Sequence, residues 1–144
     1  MTDRPKPGSQ TASVYRLHLD YDLKAGWFAP FVDGLKQGQA VARCCLSCGR
    51  VSFPPLRTCS RCGSQDGDWQ RLSGRAVLKA RTQGMDGDFA LVSFDGADGL
   101  ATVALQGLEG DGPEDAAPEQ GRVLVLTAAP DGLPRLILTP ETRP

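Results

Sequence analysis

The residues of this chain whose types and spacing could do chemistry are its cysteines, five in all. Four of them form two matched pairs, Cys45-Leu-Ser-Cys48-Gly49 and Cys59-Ser-Arg-Cys62-Gly63, with the ten residues Gly49 to Thr58 between them. A Cys-x-x-Cys turn brings two sulfurs to one side, and its backbone N–H groups can donate to them. The glycine that follows supplies a positive φ at little cost. Two such turns provide the four thiolates of a tetrahedral site, so Cys45, Cys48, Cys59 and Cys62 read as ligands of one Zn2+. With every position filled by protein, no place is left for water or substrate, and the metal is expected to organise the fold. A pair of redox dithiols is the competing reading, and the symmetry of the two halves argues against it. Cys44 adjoins a ligand and must point elsewhere, as a buried or half-buried thiol.

Other reactive groups are sparse. The sole histidine, His18, has no neighbouring motif that would place a nucleophile beside it. The carboxylate pairs Asp86/Asp88 and Glu114/Asp115 sit in glycine-rich stretches, where solvated charge is the natural reading. Independent catalysis is therefore not expected.

The net charge of −1 conceals a division along the chain. Residues 1–81 hold 13 Lys+Arg against 6 Asp+Glu, whereas residues 82–144 hold 3 against 11. Between 34 and 65 there are Lys36, Arg43, Arg50, Arg57 and Arg61 and no acid at all. Such a basic stretch could attract phosphates, or could offset the formal −2 of a zinc tetrathiolate.

Around the cysteines the elements follow from pattern. Residues 1–13 are rich in Pro, Ser, Thr and Gly and should be a disordered tail. Tyr15, Leu17, Leu19 and Tyr21 alternate with Arg16, His18, Asp20 and Asp22, an extended segment whose apolar face must pack on something, another protein included. Trp27, Phe28, Phe31, Val32 and Leu35 then recur at helical spacing, with Pro30 in the first turn and Gly38 as a stop. The stripe Trp27, Phe28, Phe31 and Leu35 is expected to dock on a partner. Strands are predicted over Trp69–Arg81, Ala90–Asp95, Leu100–Gln106, Val123–Ala128 and Leu136–Thr139, with Gly74 breaking the first and Gly107–Gly121 as a surface loop. Five strands and no long helix predict a small barrel.

The order of these parts resembles the DUF35 family of OB-fold, acyl-CoA-associated proteins. The resemblance is carried by Phe31-Val-Asp-Gly-Leu-Lys-Gln-Gly38, Cys45-x-x-Cys48-Gly-x-Val-x-Phe-Pro-Pro55, Cys59-x-x-Cys62-Gly and Trp69-x-x-x-Ser73-Gly74-Arg75. It implies a mainly β chain: a tail over 1–13, an extended segment and helix over 14–40, a rubredoxin-like zinc ribbon over 41–66 and a five-stranded OB-fold barrel over 67–144. The chain departs from the family's Ser-Gly-x-Gly-x-Val pattern at Ala76, where no close backbone approach to a ligand is expected. The resemblance further implies a noncatalytic subunit of an acyl-CoA enzyme complex, joined to a thiolase-like enzyme or a MaoC-type hydratase as a hetero-oligomer. It would help hold CoA or acyl-CoA, with Arg43, Arg50, Arg71 and Arg75 as candidates for the phosphates. The alternative is a single-stranded nucleic-acid-binding protein. After Trp69, however, only Phe89 and Phe94 could stack on bases, and the acidic second half would repel a polyanion. The chain has no apolar run long enough to span a bilayer and its first residues lack a signal peptide's apolar core, so a soluble, cytoplasmic protein is expected.

Overall fold

The computed structural model describes residues 13–85, 87–106 and 121–141. The expected tail over 1–13 except its last residue, Asp86, the Glu114/Asp115 pair and the expected loop Gly107–Gly121 except Gly121 lie outside the described residues.

Among the described residues, regular structure begins at Gly26. A single 3-10 turn, Gly26–Phe28, leads into helix α1, Ala29–Lys36, with Pro30 in its first turn, where a missing N–H costs nothing. The helix stops where Gln37 and Gly38 donate back to Gly34 and Leu35. Gly38 holds φ +69, and a β-carbon there would lie 2.9 Å from the Ala128 nitrogen, so the helix end can approach the barrel only through a glycine.

Three antiparallel strands follow in the order β2-β1-β3: β1 is Val41–Cys45, β2 is Val51–Ser52 and β3 is Gly67–Arg71. Here the structure corrects the sequence reading. The stretch expected as one long strand from Trp69 to Arg81 is two: β3 pairs with β1 along Val41 to Cys45, and β4, Arg75–Gly84, belongs to the barrel. The turn at Ser73-Gly74 separates the two sheets, so the barrel begins at Arg75 rather than at residue 67, and the register irregularity falls later, between Leu78 and Ala80.

The barrel closes as β4-β5-β6-β8-β7, with β5 Gly87–Phe94, β6 Ala101–Leu105, β7 Val123–Thr127 and β8 Ile137–Pro140. All its pairings are antiparallel except β6 with β8, which gives the strand order of an OB fold. Alternation dictates the filling: Ala76, Leu78, Val92, Leu124 and Leu138 point inward and are almost wholly buried. Ala76, the departure from the family pattern, is thus a core residue.

A chain of aromatic rings joins ribbon, helix and barrel. Trp69 stacks on Trp27 at 5.9 Å between centroids. The contacts run on through Phe28 at 5.1 Å, Phe31 at 4.7 Å, Phe53 at 5.7 Å and Phe94 at 4.4 Å. Backbone bonds fix the same joint: Leu72 donates to the Ala40 carbonyl, and Asp98 and Val51 bond reciprocally, N–H to carbonyl at 2.8 Å and N–H to carboxylate at 2.9 Å.

This packing changes the reading of the helix. Phe31 and Leu35 are 6% and 4% exposed and belong to the core, and Phe28 is half-buried against it, so they offer no free docking face. Only Trp27 stays at the surface. The segment from residue 13 to Lys24 has no regular secondary structure and is exposed throughout, and no hydrogen bond or ring contact ties it to the rest of the described chain. Among the described residues no helix is long and apolar enough to cross a membrane.

Candidate metal centre

The two Cys-x-x-Cys turns are backbone copies of one another. Cys45 donates to the Arg50 carbonyl and Gly49 to the Cys45 carbonyl, at 2.8 and 2.9 Å. Cys59 donates to Ser64 and Gly63 to Cys59 at the same two distances. Gly49 and Gly63 carry φ +76 and +75 with nothing within 4 Å of where a β-carbon would sit. The glycines are therefore required by backbone conformation and not by space.

This repeat delivers four sulfurs to one point. The Sγ atoms of Cys45, Cys48, Cys59 and Cys62 all lie within 4.8 Å of one another, with Cys45 to Cys62 and Cys48 to Cys59 each at 3.6 Å. Tetrahedral zinc at roughly 2.3 Å from each sulfur sets neighbouring sulfurs roughly 3.8 Å apart, so the donor set fits the metal in number, chemistry and spacing. Cys45 is buried and Cys62 is exposed, which puts the centre at the rim of the ribbon.

The electrostatics of the free thiols suit metal capture. Backbone N–H groups of Cys62 and Arg61 draw the Cys59 thiol down to about 6, the Arg61 N–H lying 3.4 Å from its sulfur. The backbone N–H of Cys48, helped by that of Ser47, lowers the Cys45 thiol. Cys48 goes the other way: the Arg50 N–H favours its thiolate, but burial and the sulfurs of Cys59, Cys62 and Cys45 outweigh this and push it up to about 12. Four touching thiols cannot all ionise without a cation between them, and zinc would remove that conflict. Cys44 is half-buried, with its Sγ turned toward the carbonyls of Cys45 and Gly49 at 3.8 and 3.9 Å.

Of the four arginines picked out for phosphate, the structure brings together two. Arg43 and Arg50 line a small, shallow pocket on the ribbon, beside Cys45 and Cys59. Arg43 lies over both Trp27 and Trp69, 5.6 and 5.7 Å from the ring centroids, and donates to the Gln65 carbonyl at 2.8 Å. Arg71 is exposed on β3, and Arg75 on β4 is paired with Glu141 at 3.0 Å; neither lines the pocket. Arg57 also lines it, though it was not among those four. Its place two residues before Cys59 was the available signal, because the second knuckle folds back beside the first. His18 stands in the exposed N-terminal segment, and Asp88 is paired with Arg81.

Comparison with known proteins agrees with this architecture. Residues 32–66 match the family model "ChsH2, rubredoxin-like zinc ribbon domain". A solved structure described as "Ltp2-ChsH2(DUF35) aldolase" superposes with a TM-score of 0.56 at 23% identity, covering 87% of this chain and 98% of that one. A DUF35-family protein of unknown function from Sulfolobus solfataricus superposes with a TM-score of 0.58 at 17% identity, covering 84% and 90%. Among curated proteins there is no match.

One expectation is overturned. The reading that excluded an enzyme does not stand, because a protein sharing this fold nearly end to end is called an aldolase. The residue search behind that reading asked only whether one chain holds a complete nucleophile or acid–base pair, which does not exclude a part in an enzyme. Residues 32–66 are similar to the ChsH2 rubredoxin-like zinc ribbon, and the chain as a whole, ribbon plus closed five-stranded barrel, shares the fold of the two DUF35 structures.

Proposed function

We propose that this chain is one component of a hetero-oligomeric acyl-CoA enzyme, in which it docks on a larger subunit of thiolase-like or aldolase type and helps hold the CoA thioester. The observation that carries the reading is the segment before the helix. Tyr15, Leu17, Leu19, Tyr21 and Leu23 occupy alternate positions of that segment and are between 60% and 85% exposed. Large apolar side chains at period two are the mark of a strand with one buried face, yet among the described residues this segment makes no hydrogen bond or ring contact with the rest of the chain. The barrel is closed, and on the ribbon the outer side of Val51 in β2 is already bonded to Asp98, which leaves the five residues of β3 as its open edge among the described residues. A partner's sheet edge or apolar groove would complete the segment, a mode in which backbone bonds give affinity and alternate side chains give specificity. The likeness to a protein described as a two-part aldolase supports the same reading.

A zinc ion held by Cys45, Cys48, Cys59 and Cys62 would fix the ribbon, against which the aromatic chain holds the helix and the barrel. The test is co-expression with a thiolase-like or aldolase-type acyl-CoA enzyme of the same organism, followed by an assay of thioester turnover with each component alone and with both. Turnover that needs both components supports the proposal. Full turnover by the partner alone, unchanged by this chain, contradicts it.

A further inference from the structure

The pocket on the ribbon carries an observation that the metal centre does not absorb. The Arg50 Nε is buried and has no hydrogen-bond partner, and it is the one buried side-chain nitrogen or oxygen in that position among the described residues. Buried N–H donors are paired in nearly all native proteins, so an orphan of this kind marks a missing acceptor. Arg50, Arg57 and Arg43 line the same pocket, and none of the three is in an ion pair among the described residues, whereas Arg75 and Arg135 are. The Ser60 hydroxyl also lines the pocket.

We propose that this pocket is a binding site for a phosphate group, held by the guanidinium groups of Arg50 and Arg57 with Arg43 as a fixed positive neighbour. Planar guanidinium forks match a tetrahedral oxyanion and donate to two of its oxygens at once. Arg43 is pinned between Trp27, Trp69 and the Gln65 carbonyl, so its charge is in place before a ligand arrives. Asp66 and the zinc thiolates at Cys45 and Cys59 also border the pocket and offset part of this charge. Binding therefore rests on contact hydrogen bonds rather than long-range attraction, and the affinity is modest. The site deepens the acyl-CoA reading, on which the identity of the phosphate's owner rests, by moving the phosphate contact from Arg71 and Arg75 to Arg57.

The competing role for these arginines is to neutralise the zinc thiolates, which needs no ligand. Nitrogen-15 NMR of arginine side chains in the zinc-loaded full chain separates the two. Inorganic phosphate is expected to shift the Arg50 Nε–H resonance saturably, while Arg71 and Arg75 stay unmoved. Arg57→Gln, at an exposed position, is expected to weaken the response about tenfold with zinc content unchanged. CoA binding more tightly than both phosphate and dephospho-CoA would place the CoA 3′-phosphate in the pocket, and equal responses to all three would make the ligand a free phosphate. No saturable shift at Arg50, or equal shifts at Arg50, Arg71 and Arg75, would overturn the proposal. Loss of the phosphate response with the partner complex intact removes this site alone. A retained phosphate response without any complex removes the assembly reading alone.

Discussion

The cysteines act as a set because each turn holds its two sulfurs before any metal arrives. Replacing Cys48 or Cys62 with Ser takes away one of four thiolates, and the expected result is loss of about one zinc per chain and unfolding of the ribbon, measured by metal analysis and amide exchange. A Cys48→Ser protein with full metal and a protected ribbon would refute the ligand assignment. Acid should act in the same direction. Zinc displaces protons from its ligands, so affinity falls as pH falls. Cys48, at about 12, must surrender a proton at any working pH, while Cys59, at about 6, gains one to surrender only below that value. Metal loss to a chelator should therefore steepen as pH passes below about 6, and a retention curve flat from pH 7 to 4 would count against the site. At this scale the cysteines were legible because spacing alone states their chemistry. The arginines were not, because charge in a sequence says nothing about direction: Arg75 found Glu141 and Arg43 found two tryptophans.

Elements were read well where periodicity decides and poorly where partners do. The helix, its proline start and its glycine stop follow from local chemistry, and four of the five barrel strands fall within a few residues of their expected places. The Trp69–Arg81 stretch looked continuous because both sheets want alternating residues, and only pairing with β1 shows that β3 closes the ribbon. The aromatic stripe of α1 was misjudged for a related reason. A short leader has no core of its own, but Phe53 and Phe94, far along the chain, supply one. Phe31→Ala should accordingly cost about 3–5 kcal/mol in denaturant unfolding, as an emptied core site does. A change under about 1 kcal/mol would mean that the helix is not core. Removing residues 1–24 should leave the midpoint of unfolding where it was, since the described part of that segment, residues 13–24, has no hydrogen bond or ring contact with the rest of the described chain. A clear drop on truncation would mean that the segment packs on its own chain.

On the scale of the whole molecule, the closed thiolate set and the closed barrel have a common consequence. Each satisfies itself, the first with four sulfurs that leave no open metal position and the second with strands that leave no free edge. Among the described residues, the alternating apolar side chains between 13 and 24, the exposed Trp27 and the basic pocket on the ribbon stay unsatisfied. A molecule built in this way presents its unmet needs outward, which suits a component of a larger assembly. The most direct test is light scattering on a sizing column, with a thiolase-like or aldolase-type acyl-CoA enzyme of the same organism mixed either with the full chain or with a chain lacking residues 1–24. The account predicts a stoichiometric complex with the full chain and separate peaks with the truncated, still folded one. A complex that forms equally well with both, or with neither, would contradict it.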